Sequence, residues 1–232
     1  MKRQRSIAVI VPVFNEASVL PKMIACMQSS GADELVFVDG GSTDDSSRIL
    51  EGSGVRWLQT RPGRACQMNA GARECDSDIV VFVHVDTMID SSKISAIDKA
   101  MKDDCHAGGR FDVHLSGDAF AFRVIEWLIN MRSRLSGIST GDQCQFVRRS
   151  VFERMGGFPD QPLMEDIEFS KRLKRQGRIV CLEETVITSS RRWEQYGILA
   201  TVWLMWKLRF LYWLGVSPEK LSTMYRGYAD EN

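Results

Sequence analysis

The sequence predicts an α/β fold with a mostly parallel central sheet and helices on both faces, and three observations carry that expectation. Short runs of apolar, β-branched residues recur along the first half of the chain, and segments with helical spacing follow them. The runs lack a polar alternation, so they read as strands covered on both sides, which is how parallel sheets are built. Polar residues gather just after these runs, where open sheets of this kind bind ligands.

Ile7 to Val13 is the first strand, and Val19, Leu20, Met23, Ile24 and Met27 then recur at helical spacing, with Ser18 as the expected N-cap and Pro21 in the first turn. ELVFVD, closing on Asp39, is the second strand, VRWLQT a third, and Arg64 to Arg73 a helix. IVVFVHVD is the fourth strand, which puts His84 and Asp86 at alternating positions and so on one side. From about Gly108 to Val147 come extended GGRFDVHLSG, helical AFRVIEWLINMRSRL and the strand CQFVRR, a mixed second half. MEDIEFSKRLKRQG then opens a helix on Glu165 and Asp166. No repeat, low-complexity tract or Pro/Gly/Ser-rich linker marks a boundary.

The chain has 232 residues and is 44% hydrophobic, which suits one domain with a large core. Lys plus Arg and Asp plus Glu are both 30, so no bulk field points to nucleic acid as a partner. Six cysteines lie far apart with no C-x-x-C spacing, which fits neither a zinc site nor a disulfide framework and makes a reducing cytoplasm the expected location. The start, MKRQRSIAVIVPVF, imitates a signal peptide, but its apolar run is β-branched, broken by Pro12 and followed by Asn15 and Glu16, so it reads as the first strand.

The tail differs. Tyr196 to Trp206 is apolar almost throughout, and Trp193, Trp203, Trp206 and Trp213 all fall after residue 190. A spanning helix needs about 20 such residues, and Lys207 and Arg209 interrupt this one. These two charges stand about 200° apart on a helix, so they do not share a face. The expectation is a helix that covers the domain, meets a partner subunit in a homodimer, or makes peripheral contact with a membrane through residues 193–213.

Each polar cluster has two readings. In VDGGSTDDS, Asp44 or Asp45 caps the next helix, or Gly40 and Gly41 let a ligand approach while Asp39 accepts from a nucleobase or ribose. In RPGRACQMNAGA, Arg61 and Arg64 precede a helix against its macrodipole, so they are either solvated or there for a phosphate. In HVDT, Asp86 caps a turn or offers carboxylate oxygen to Mg²⁺ or Mn²⁺, and the His84 imidazole suits Mn²⁺ better. Glu165 and Asp166 are first-turn acids or a general base, and Asp142 and Gln143 in GDQCQF share the ambiguity.

Taken in order and spacing, VIVPVFNE, VFVDGGSTDDS, GRACQMNAGA, FVHVDT and MEDIEF resemble the family 2 glycosyltransferases, which have the GT-A type nucleotide-diphospho-sugar transferase fold. The fourth strand, which is LHADT-like, together with GDQ and RRW, resembles a bacterial subgroup of that family with no settled donor or acceptor. The resemblance implies that residues 1–190 form the GT-A domain and 191–232 an aromatic-rich helical extension. It implies that Pro12, Asn15, Glu16 and Asp39 line the nucleotide pocket, with Arg64 and His84 beside them. Asp86 matches the last carboxylate of the family's Asp-x-Asp, which holds Mn²⁺ or Mg²⁺, and Asp166 or Glu165 matches the general base. Asp142, Gln143, Arg192 and Trp193 would face the acceptor.

The implied activity is metal-assisted, inverting transfer from a nucleoside-diphosphate sugar, UDP first, to a hydroxyl acceptor, and a lipid-linked acceptor would suit a chain at the inner face of a membrane. His84 stands where the motif's first Asp would be, which lowers the expected metal affinity. Only Arg192 and Trp193 match the Gln-x-x-Arg-Trp of processive members, because Ser189 holds the glutamine position, so processivity is not implied. Two readings compete. A non-catalytic sugar-nucleotide-binding protein would follow from lost metal affinity, and a nucleotidyltransferase would need a Gly/Arg-rich loop where VFNEASVL stands.

Overall fold

A computed structural model describes residues 5–230 of the chain, with side chains through Tyr225. The first half runs β1 (Ile7–Val13), α1 (Leu20–Gln28), β2 (Glu34–Asp39), α2 (Ser46–Gly52), β3 (Arg56–Gln59), α3 (Arg64–Arg73) and β4 (Ile79–Phe82). Then come β5 (Thr87–Met88), α4 (Ser91–Ala100), β6 (His106–Leu115), α5 (Phe120–Ser136), a single 3₁₀ turn at Gly141–Gln143, β7 (Phe146–Arg148) and α6 (Arg149–Arg154). The chain continues through α7 (Glu165–Leu173), β8 (Arg178–Thr188), α8 (Arg191–Tyr196), α9 (Ile198–Trp213) and α10 (Pro218–Asp230).

The strands form one sheet in the order β3-β2-β1-β4-β7-β6-β8-β5. β3, β2, β1 and β4 pair in parallel, as expected of buried apolar runs. β6 pairs with β8 in parallel over the longest ladder of the sheet, while β7 lies antiparallel to both β4 and β6 and β5 antiparallel to β8, so the sheet is mixed with most of its pairing parallel, as expected. β1 explains the two-sided core. Ile7, Val9, Val11 and Val13 face α1 and α4, whereas Ala8 and Ile10 face α3 and α6, because successive side chains leave opposite faces of a strand. α3 packs so closely that a Cβ at Gly71 would lie 2.6 Å from Ile10 Cγ2.

Three local expectations change. Ser18 is not the cap of α1: Val19 holds that position with no side-chain cap, and the helix starts at Leu20 with Pro21 in its first turn. Asp45 precedes α2 without capping it, while Asp44 accepts from Ser46 N at 2.9 Å and Ala17 N at 3.0 Å, tying the loops after β1 and β2 together. The fourth strand stops at Phe82, short of His84 and Asp86. Its neighbour β7 is preceded by Cys144, whose φ of +46° turns the chain away, so the last bond to that side is Phe82 N to Gln145 O at 2.9 Å, and on the β1 side Val83 N to Ile10 O at 3.0 Å. His84 and Asp86 therefore lie in a turn closed by Thr87 N donating to His84 O at 2.9 Å, and strand alternation does not orient them. The six cysteines are free, and no helix among the described residues is long and apolar enough to cross a membrane.

Candidate active site

Loops after the parallel strands are cross-linked by their own polar side chains. Asp39, at the end of β2, is wholly buried and accepts from Gly41 N, Ser42 N, the Ser42 hydroxyl, Ser47 Oγ at 3.0 Å and Gln59 Nε2 at 3.2 Å. Both its oxygens are engaged, so Asp39 builds the Gly40–Gly41 turn instead of presenting a free carboxylate to a base. Pro12 is likewise buried within β1. Asn15, held at φ +56°, accepts from Thr43 N at 2.8 Å through Oδ1, and its own N–H donates to Ser42 Oγ at 2.9 Å. Asn15, Thr43 and Gln59 are the exposed members of this network.

Beyond that network lies a cavity of about 270 Å³ with one polar and one apolar side. Arg64, His84, Asp86, Asp142, Glu165 and Asp166 line the polar side. Ile125, Leu128 and Ile129 of α5 and Val202, Met205 and Trp206 of α9 line the other. Arg64, the first residue of α3, is the cation that acts on three of these groups. Its charge opposes the burial that raises the Asp86 and Glu165 carboxyls. It also adds to the burial that pushes His84 down to about 3, so that imidazole is neutral. Glu16 is raised by burial although its Oε2 lies 3.4 Å from Arg191 Nη2.

The turn carrying Asp86 is fixed to the far side of the sheet by Ser189 N donating to Asp86 O at 3.2 Å. His84 packs on Gly141 so tightly that a Cβ there would lie 2.2 Å from its Cε1 and Nε2. Gly141 N also donates to Asp166 Oδ2 at 3.1 Å, so one turn positions both residues. Ile167 N donates to Asp166 Oδ1 at 2.7 Å. Glu165 is 6% exposed, and burial, then the charge of Asp166, pushes its carboxyl up to about 7. Burial raises Asp166 as well, opposed by Arg209. Two adjacent carboxylates kept from water in one cavity cannot both ionise freely, so the pair binds a proton more tightly than either acid alone.

The acceptor-side candidates divide. Asp142 lines the cavity, and its Oδ1 is buried with no hydrogen-bond partner. Gln143 does not reach the cavity: it is wholly buried, donates to Ser133 Oγ at 3.0 Å and closes a capping box with Thr140, so it holds the turn. Arg192 lines the cavity with its guanidinium over the Tyr225 ring at 4.3 Å, and Trp193 lines it while packing against the cluster of Leu115, Phe122 and Ile125. Sequence reasoning missed the Arg132 and Arg209 pair. Arg132 is lowered to about 10 by burial and then by Arg209, and its Nη2 is buried without a partner. The only available signal was that each interrupts an apolar helical run.

Asp86 is the carboxylate of this cavity that could hold a metal. Among the described residues no group of three or more His, Cys, Asp or Glu is arranged to hold an ion, and His84 is committed to packing on Gly141. A hard carboxylate oxygen suits Mg²⁺ or Mn²⁺, which commonly complete their shells with substrate phosphates, so one carboxylate is compatible with an ion shared with a diphosphate.

Residues 8–156 match the family described as Glycosyl transferase family 2. The probable glycosyltransferase YdaM of Bacillus subtilis (strain 168) is 24% identical over 235 residues, 90% of this chain and 54% of the relative. An undecaprenyl-phosphate 4-deoxy-4-formamido-L-arabinose transferase of Pseudomonas syringae pv. syringae (strain B728a) is 26% identical over 166 residues, 64% of this chain and 49% of the relative. The chain thus spans about half the length of these curated relatives. Among solved structures, a mannosyltransferase of Pyrobaculum calidifontis in complex with GDP-Man and Mn²⁺ superposes with a TM-score of 0.63 at 20% identity, covering 80% of this chain and 57% of that one, which establishes a shared GT-A fold.

Proposed function

This chain belongs to glycosyl transferase family 2, and on that premise we propose that it transfers a sugar from a nucleoside-diphosphate sugar to a hydroxyl acceptor, with inversion at the anomeric carbon. The observation that carries the reading is the convergence of Arg64, Asp86, Glu165 and Asp166, from three separate segments, on one cavity at the ends of the sheet. Arg64, at the start of α3, and Arg192 supply positive charge for a diphosphate. Asp86 would hold Mn²⁺ or Mg²⁺, which when bound would supply positive charge to the leaving diphosphate.

Asp166 is the proposed base. Gly141 N and Ile167 N hold its two oxygens at the cavity wall, and the Arg209 charge, on the same cavity, opposes the burial that raises it. As the acceptor oxygen bonds to the anomeric carbon, its proton passes to Asp166, the carbon–oxygen bond to the diphosphate breaks, and the nucleoside diphosphate leaves with the bonding electrons. Glu165 holds the pair's shared proton at neutral pH until the site is fully ionised. Asn15 and Glu16 flank the donor, and Asp39 supports their loop from below.

Residues 1–190 form the proposed donor-binding domain, and the extension 191–232 completes the acceptor side. UDP is the first base to test and GDP the second, given the GDP-Man of the mannosyltransferase. The apolar cavity wall and the undecaprenyl-phosphate relative favour a lipid-linked acceptor and peripheral residence at the inner face of a membrane. The test is incubation with UDP- and GDP-sugars and Mn²⁺ or Mg²⁺, following nucleoside diphosphate release and the anomer of the product by NMR. Release with inverted product supports the reading; tight nucleotide binding without release across all donors and lipid extracts would favour the non-catalytic one.

A further inference from the structure

Exposed apolar side chains are concentrated, not scattered. Of fifteen large ones among the described residues, six lie on α5 and six between 199 and 214. Those on α5 are Phe120, Val124, Trp127, Leu128, Met131 and Leu135, which at about 100° per residue fall within an arc of about 100°. Along α9 and at its C-cap they are Leu199, Trp203, Trp206, Phe210, Trp213 and Leu214, again within about 100°. Four of the six tryptophans, Trp127, Trp203, Trp206 and Trp213, are between 59% and 78% exposed on these two stripes.

The stripes flank one opening. Leu128 of α5 and Trp206 of α9 belong both to the exposed stripes and to the cavity wall, and beneath them Ile125, Ile129, Ile198 and Val202 pack in one cluster. Charge follows the same pattern. Lys207 is exposed just outside one edge of the α9 arc, and Arg209 stands just outside the other, where it also lines the cavity, so the two cations bracket the apolar stripe. Neither helix exposes a carboxylate: α9 has none, and Glu126 of α5 is buried, accepting from Leu115 N and paired with Arg123 at 2.9 Å.

We infer that the α5 and α9 stripes form a docking surface for an anionic lipid bilayer, with the cavity mouth held at that surface. Tryptophan-rich apolar faces edged by basic side chains seat at the headgroup boundary, where rings enter the interface and cations meet anionic lipid. A second copy of the chain fits less well, because an isologous contact would bring the Lys207 side chains of both copies against faces that offer no carboxylate. The occupant is therefore the bilayer, and an amphipathic acceptor could enter the cavity between Leu128 and Trp206 without leaving it.

Vesicle binding needs no donor, so it is independent of the transferase reading. The full chain is sedimented with vesicles of equal parts phosphatidylglycerol and phosphatidylcholine, and with phosphatidylcholine alone, with light scattering to report self-association. The expected result is a monomer that binds the anionic vesicles at least about tenfold more tightly than the neutral ones, and less so in high salt. Trp127→Ser with Trp203→Ser should weaken binding about tenfold, and Lys207→Gln about fivefold, at unchanged melting temperature. No binding to anionic vesicles at low salt, unchanged binding by the double variant, or a stable dimer that shields these tryptophans from a soluble quencher would each overturn the inference.

Discussion

Asp39 and the Glu165–Asp166 pair are both buried carboxylates at the ends of secondary structure elements, yet their surroundings differ. Asp39 has donors on both oxygens from two backbone amides, two hydroxyls and one amide side chain. Glu165 and Asp166 share a cavity with Asp86, are raised by burial, and lie beside Asp142 with its unpartnered oxygen. A buried acid surrounded by donors stabilises the fold, while adjacent buried acids that repel each other's charge hold protons more tightly and are retained where chemistry needs them. The first region is thus the frame and the second the proposed reactive end.

Substituting the pair gives the largest effect. Asp166→Asn should lower kcat about 10²- to 10⁴-fold with the melting temperature within a few degrees of wild type, read by turnover and thermal melts on the same samples. Unimpaired turnover would remove Asp166 from the role of base. Asp39→Ala has the opposite profile: stranding several buried donors should cost about 2–4 kcal/mol of stability, measured as a shift in the urea midpoint. A loss of nucleotide affinity with no loss of stability would return Asp39 to the nucleotide pocket itself.

Acidity sharpens the contrast further. Glu165 is raised from 4.5 to about 7, so the folded state holds a proton that the unfolded state releases. Its contribution to stability is present below pH 4.5 and is lost as pH rises toward 7, with a slope of at most about 1.4 kcal/mol per pH unit. Glu165→Gln should flatten that slope, leaving the variant more stable than wild type at pH 8, and should move the acid limb of the kcat profile below about 7. Identical pH–stability curves for the two proteins would show that Glu165 is ordinarily ionised. The smallest effect belongs to Ser18→Ala, expected within about 0.5 kcal/mol, against about 1 kcal/mol for a true N-cap; urea melts separate the two.

Much of the frame was legible because it rests on local patterns. Ile7–Val13, Glu34–Asp39 and Arg64–Arg73 lie where apolar runs and helical spacing put them, and the order of motifs indicated the family. The end of the fourth strand was not legible, since it depends on a neighbour that turns away at Cys144, far along the chain. The α5 stripe was equally hidden: helical periodicity is the same whether the apolar face meets a core or looks outward, and only the fold shows which. Gln143 looked functional in sequence, yet its hydrogen bonds to α5 are structural. Arg132 and Arg209 meet only because α5 and α9 are neighbours.

The most direct test of the central claim is a thermal-shift titration of UDP and GDP with Mn²⁺, Mg²⁺ or EDTA, on wild type and Asp86→Asn. Ligands that bind the native state raise its melting temperature by mass action, by about 2.7 kcal/mol in stability at a hundredfold excess over Kd. The account predicts that one nucleoside diphosphate stabilises the wild type only with a divalent ion, and that Asp86→Asn loses this stabilisation while melting normally without ligand. Equal stabilisation of the two proteins, or none of either by any nucleotide and metal, would contradict it.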